Sequence, residues 1–477
     1  MTTRSRMSGV DTAWLRMETP TNLMMIVGVM MFAEKLDPAT VRRVVAARFL
    51  SYPRFRSRAA QDAVGAWWET DDALDMEWHV RKHPGRGRLG KAALENLVSE
   101  LASTPLDFSR PLWQFHLVDY GTGSALITRI HHCYADGIAL IQVMLSMTHA
   151  TAAGSLAVKP QRRREARRDE KDVWAQVLGP VTGALGGAAR VGKGFLAGKG
   201  VDFASEVARI ILMGKDAETR FRGSLGTKKR VAWATPLPLD QVKVVGKALG
   251  GSINDVLLSM AAGALADYLR EKGDAVAPEI RAIVPVNLRP IAQTGELGNH
   301  FGLVFLALPI GIENPLERLQ AVRSRMRELK GSYQPLIALG LLGAVGYGPR
   351  AIQDQVTQLL GQNASAVMTN VPGPQHPLHF AGKRIDELDF WVPQSGGIGM
   401  GVSILSYDGR IQFGVITDAG LVPDPDRIVG RFKDEFEKLL WMALMSPWGG
   451  EAEAGPDRTP AADVPAKAAI PKRFRNL

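Results

Sequence analysis

The sequence predicts a mixed α/β (α+β) protein of two domains joined by a helical connection. Three observations predict it. Strand-like apolar runs alternate with helix-period segments in both halves. The composition shifts sharply between residues 151 and 220. The length, 477 residues, exceeds the usual size of one domain. The expected organisation is an N-terminal half over 1–150, a basic, helical connecting segment over 151–220, a C-terminal half over 221–447 and a disordered tail over 448–477.

In the N-terminal half, the run 23–32 reads as a buried strand. Segment 38–50 places Val41, Val44, Val45 and Phe49 at helical spacing. Segments 115–118 and 126–130 read as strands, and an apolar helix is expected over 138–147. The connection opens with Arg162, Arg163, Arg164, Arg167, Arg168 and Lys171. It continues as an Ala/Gly/Val/Leu-rich stretch suited to packing between domains or lying on a lipid interface. In the C-terminal half a helix is expected over 252–270, with Leu257, Met260, Leu265, Tyr268 and Leu269 on one side. Strands are expected over 280–288 and 302–309. Asp408-Gly409 between two apolar runs is a hairpin signal, and a closing helix is expected over 427–445. The Pro/Ala/Glu-rich tail has little to bury.

A single cysteine, Cys133, excludes an internal disulfide framework and any multi-cysteine metal site. It fits a cytoplasmic setting. No signal-peptide pattern opens the sequence, and the apolar runs fall short of the roughly 20 residues that span a bilayer. The formal net charge is +10. Nothing resembling a nucleic-acid-binding module accompanies it, so the basic clusters point to an anionic membrane or lipid surface rather than nucleic acid. A solvated linker remains the alternative.

The most informative segment is His131-His132-Cys133-Tyr134-Ala135-Asp136-Gly137, between a strand-like run and an apolar helical pattern. Neighbouring side chains in extended backbone point to opposite sides. That separates His131 from His132 as ligands of one metal, and no metal site is expected. It also separates Cys133 from His132 as a nucleophilic pair. Cys133 reads as a small buried residue. Asp136 precedes a helix and suits an N-cap, or it fixes the bend that presents His132 by pairing with an arginine. A histidine base without a serine or cysteine nucleophile suits direct proton removal from an alcohol that attacks an activated acyl group.

His131 to Gly137 matches the HHxxxDG signature of the acyl-CoA-dependent acyltransferases. Further segments resemble the bacterial wax ester synthase/diacylglycerol acyltransferase family. They are Asp11 to Asn22, Arg110-Pro111-Leu112-Trp113, Asn254-Asp255-Val256-Leu257-Leu258, Val284-Pro285-Val286-Asn287-Leu288-Arg289, Gly298-Asn299-His300-Phe301 and Thr369-Asn370-Val371-Pro372-Gly373-Pro374. They stand in the family's order across residues 10–445.

The resemblance implies two halves, each like a chloramphenicol acetyltransferase subunit, with a substrate tunnel between them. It implies long-chain acyl-CoA as donor substrate, a diacylglycerol or long-chain fatty alcohol as acceptor, and no cofactor. By position, His132 would be the general base and His131 an inward structural partner. Asp136 and Gly137 would support the loop, with Arg289 as the candidate salt-bridge partner of Asp136. Asn254 and Asp255 would face the cleft as oxyanion candidates, though Ser252 and Asp255 also spell a capping box. Trp113 reads as a core anchor. The sequence departs from the family at Asn22-Leu23-Met24-Met25, where N-P-M-H is usual.

The implied location is peripheral, at the inner membrane or lipid droplets, and a homodimer stays open. Two other readings share the signature or scaffold: a peptide-synthetase condensation enzyme, and a non-catalytic lipid-binding or droplet-coating protein.

Overall fold

The computed structural model describes residues 4–62, 65–84, 87–157, 213–287, 301–330, 361–394 and 397–445. The basic stretch 162–171, Arg289, the 298–300 motif residues and the tail lie outside these.

Two sheets organise the chain. The first runs in the order Glu387–Trp391, Met25–Phe32, Gly123–His131, Trp113–Tyr120 and Val80–Lys82. Its neighbours are antiparallel except the last pair. The strand Met25–Phe32 is apolar along almost its whole length and is flanked on both sides. The second sheet runs Phe301–Leu308, Ile280–Asn287, Ala366–Pro372, Met400–Tyr407, Arg410–Asp418 and Lys229–Trp233. Ala366–Pro372 is parallel to both of its neighbours. The hairpin at Asp408-Gly409 forms as expected. Both residues have positive φ, 48° and 71°, the twist that matches two paired strands.

The halves interlock, which the division at 150 and 220 did not anticipate. Glu387–Trp391 comes from the C-terminal half yet pairs with Met25–Phe32, Phe390 opposite Gly28. It covers a hydrogen-bonding edge that would otherwise lie open beside an apolar strand. In the other direction, the helix Lys91–Ala102 of the N-terminal half reaches the edge strand of the second sheet. The hydroxyls of its Ser99 and of Ser103, the C-cap that follows it, accept from the Val231 and Lys229 amides at 2.9 and 2.8 Å. Trp233 and Trp391 meet across this junction at 5.6 Å.

One core lies around the first sheet and includes Trp113, Phe115, Phe49 and Phe55. Trp113 is fully buried, donates to the Phe55 carbonyl at 2.8 Å and stacks on His79 at 4.2 Å. It is a core anchor, as its motif suggested. The segment 38–50 begins as a helix, Pro38–Val44, capped by Asp37, and finishes as a π-helical turn, Val45–Phe49. The wider turn accompanies full burial of Val45 and Phe49. The second core centres on the helix Ile253–Glu271, packed against Asp426–Met445 and Pro315–Lys330. Among the described residues, no single helix is long and apolar enough to cross a membrane.

Candidate active site

The strand Gly123–His131 ends at the first histidine, and the helix Gly137–Ser146 starts five residues after the second. Backbone contacts pin this short bend. The His131 amide donates to the Leu112 carbonyl at 3.0 Å and the His132 amide to the Met24 carbonyl at 2.7 Å. The Tyr134 hydroxyl accepts from the Leu112 amide at 2.9 Å and donates to the Ser57 carbonyl at 2.7 Å. Leu112, within the Arg110–Trp113 motif, therefore receives both ends of the bend.

The two imidazoles have different surroundings. His131 is fully buried. Its Nδ1 accepts from the Cys133 amide at 3.0 Å, so Nδ1 carries a lone pair and the proton sits on Nε2. That Nε2 lies 3.0 Å from Glu18 Oε2. The approach is bent away from the N–H direction, which makes it an electrostatic contact rather than an aligned hydrogen bond. The same Glu18 oxygen accepts from the Met24 amide at 3.0 Å. His132, 5 % exposed, stacks on Trp14 with ring centroids 3.9 Å apart and planes at 23°. Such a pair contributes about 0.5–1.5 kcal/mol beyond its buried area.

These partners come from one sequence segment. The helix Gly9–Met17 is capped by Ser8, whose hydroxyl accepts from the Asp11 amide at 3.0 Å. Asp11, 1 % exposed, pairs with Arg54 at 3.3 Å. Arg54 also donates to the Tyr134 carbonyl at 2.9 Å, inside the histidine bend. Asp11, Trp14 and Glu18 lie three and four residues apart, on one side of a helix and the turn after it. Sequence reasoning noted this segment only as a family match. The i, i+3, i+7 spacing of Asp, Trp and Glu was the available signal.

Asp136 caps the following helix: its carboxylate accepts from the Ala139 amide at 2.8 Å. The proposed partner Arg289 lies outside the described residues. Gly137 is the first helical residue and its φ is not positive. The bend therefore does not need glycine for its backbone conformation. Asp255 serves its own helix. It closes a capping box, accepting from the Ser252 amide and hydroxyl at 2.8 and 2.7 Å. Asn254 accepts from Asn370 at 2.6 Å, joining the Asn-Asp motif to the Thr-Asn-Val-Pro-Gly-Pro motif. In the departing segment, Met25 stands opposite His131 in the strand register.

A pocket of about 340 Å³ lies between Gly250–Ser252 and Arg323–Arg327, with Asp255 on its wall. Neither His132 nor Asp136 lines it, so it is not the site of the histidine chemistry. Cys133 is fully buried, and burial pushes its thiol well above the usual range. It is not a thiolate nucleophile at neutral pH.

Comparison with known proteins decides the family. The wax ester synthase/diacylglycerol acyltransferase catalytic domain model matches residues 7–257, and the WS/DGAT C-terminal domain model matches residues 297–440. The chain belongs to this family. It is an acyltransferase of mixed α/β fold. A Mycobacterium tuberculosis protein described as a diacylglycerol O-acyltransferase is 28% identical, over 94% of this chain and 92% of its own length. A second one from that organism is 27% identical over 78% and 81%.

Among solved structures, the wax ester synthase/diacylglycerol acyltransferase of Marinobacter aquaeolei VT8 superposes with a TM-score of 0.65 at 19% identity, over 92% of this chain and 100% of that one. The first condensation domain of the calcium-dependent antibiotic synthetase gives 0.59 at 16%, over 93% and 97%. A trichothecene 15-O-acetyltransferase from Fusarium sporotrichioides gives 0.59 at 13%, over 92% and 95%. These likenesses establish the shared two-half fold.

Proposed function

We propose that the protein transfers a long-chain acyl group from acyl-CoA to the hydroxyl of a diacylglycerol or a long-chain alcohol, yielding triacylglycerol or wax ester. The observation that carries the proposal is His132, held by its own amide and by Trp14 at a strand exit whose bend is pinned from three sides. His132 removes the hydroxyl proton of the acceptor. The alcohol oxygen attacks the thioester carbonyl, the C–O bond forms, and the tetrahedral oxyanion collapses with cleavage of the C–S bond. The departing CoA thiolate takes the proton back from His132. A positioned base contributes about 10²–10⁴-fold in rate. No covalent acyl-enzyme is needed, which agrees with the buried, thiol-form Cys133.

In this reading His131 and Asp136 shape the bend and the start of the helix, and the substrates meet in a tunnel between the halves. The Asn254–Asn370 pair is a candidate for orienting groups near the oxyanion. Lipid acceptors place the enzyme against a membrane or droplet surface.

The test is CoA release from palmitoyl-CoA with hexadecanol or diacylglycerol, comparing the wild type with His132→Ala. Release that depends on the acceptor and disappears in the variant, with unfolding unchanged, is expected. Wild-type turnover by His132→Ala would refute the assignment.

A further inference from the structure

The indole of Trp14 lies face to face with the imidazole of His132 at 3.9 Å. Both groups are nearly out of water, at 7 % and 5 % exposure. Neither is loosely held. Trp14 sits in the capped helix Gly9–Met17, whose residues Gly9 to Leu15 are all buried. The His132 backbone is tied to Met24 at 2.7 Å. A base buried this deeply loses hydration just when it accepts a proton, so something in the protein must compensate.

Four charged groups near the bend, among the described residues, make contacts of their own. From the N-terminal helix, Asp11 pairs with Arg54. From the turn after it, Glu18 contacts His131 and the Met24 amide. From the turn Pro53–Arg56, Arg54 also holds the Tyr134 carbonyl. On the histidine segment itself, Asp136 caps its helix. The Trp14 face, stacked on the His132 ring, is one such compensating group. An indole face attracts a cation within about 6 Å of its centre, and more strongly when the pair is desolvated.

We propose that Trp14 is a positioning residue for the reaction: it fixes the plane of the His132 ring and stabilises the imidazolium form that exists while the acceptor's proton is on loan. This inference rests on His132 acting as the general base. The attraction favours the charged form, so Trp14 raises the proton affinity of His132. Removing the indole lowers that affinity. The arm of activity that rises with pH, which requires neutral His132, then moves to lower pH. The plateau rate falls because a weaker and less well-oriented base accepts the proton.

The experiment combines two readouts on wild type, Trp14→Phe and Trp14→Leu. The first is the titration of the His132 C2 proton by NMR, assigned by its loss in His132→Gln and needing no substrate. The second is the pH profile of kcat and kcat/KM for acyl transfer from palmitoyl-CoA. In Trp14→Leu the titration midpoint and the acid arm of kcat/KM should both fall by about one pH unit, equivalent to about 1.4 kcal/mol. Plateau kcat should drop about tenfold with KM for acyl-CoA within about twofold, the signature of a contact made in the transition state. Trp14→Phe should lie between, because a phenyl face binds cations less strongly than indole. It also serves as the folded variant if Trp14→Leu does not fold.

An unchanged midpoint in a folded variant would overturn the inference. So would a lowered kcat with the acid arm unmoved, which is what a purely structural tryptophan gives. A wild type without acyl transfer would refute the proposed function instead, and the titration alone would then decide whether Trp14 stabilises the imidazolium.

Discussion

Replacing Glu18 with alanine tests how the histidine bend is held. A single carboxylate oxygen serves the Met24 amide and the His131 Nε2, each at 3.0 Å. Met24 then holds the His132 amide through its carbonyl at 2.7 Å. Glu18 is thus coupled to His132 through one residue and to His131 directly. In Glu18→Ala both donors lose their acceptor. A stranded buried donor costs about 1–3 kcal/mol. The His131 contact is bent and belongs at the low end, and the Glu18 side chain is 12% exposed, so water relieves part of the loss. The sum comes to about 2–3 kcal/mol.

Released from Met24, His132 should drift. A misplacement of about 1 Å costs on the order of 10²-fold in rate, so kcat should fall between about ten- and a hundredfold. Glu18→Gln retains one acceptor oxygen and should lose about 1 kcal/mol. Urea unfolding measures the first quantity as a shifted midpoint at constant slope, and acyl transfer measures the second. A Glu18→Ala protein with the wild-type midpoint and wild-type kcat would show that this carboxylate does not support the bend.

Two further outcomes are expected. Arg54→Ala should destabilise by about 1–3 kcal/mol, because it removes one partner of the buried Asp11 carboxylate and the donor to the Tyr134 carbonyl. Thermal melting checks this, and Arg54→Lys should recover only part, since a lysine cannot reproduce the planar fork. Two histidines outside the site should make the fold acid-sensitive. His116 is held down to about 3, first by burial and then by Arg129. His79 is held at about 4 by burial, partly offset by its bond to the Trp113 carbonyl. The unfolded chain takes up these protons near pH 6.5 while the native state does not. Their stabilisation is therefore full above pH 6.5 and is lost as pH falls toward 4 and 3. Urea unfolding at pH 7, 6, 5 and 4 should show a decline that is shallower by about one proton in His116→Gln. Parallel curves would contradict it.

Much of the architecture is readable from local pattern. The strands Met25–Phe32 and Gly123–His131, the helix Ile253–Glu271 and the hairpin at Asp408-Gly409 each announce themselves in short-range periodicity or turn chemistry. The helix Gly9–Met17 was less legible, because its short stretch mixes Asp11, Thr12 and Arg16 with Trp14 and Leu15. Asp11 and Thr12 are buried along with Trp14 and Leu15, so no polar face marks the helix. The capping role of Asp136 was visible as one of two readings, and the structure shows the cap. The capping-box spelling of Ser252 and Asp255 was visible too, and the structure shows the box.

By itself the sequence determined the identity and order of the reactive segment, the helices and strands that carry it, and the family through motifs spread over most of the chain. Those are properties of residues near one another along the chain, or of their linear order. Only the tertiary structure decided that Glu387–Trp391 completes the sheet of the other half. It likewise decided that His131 and His132 are held by Glu18 and Trp14, more than a hundred residues earlier. Such pairings depend on strand register and on which side chain fills which face. Periodicity carries neither, because a strand names its apolar side without naming its partner.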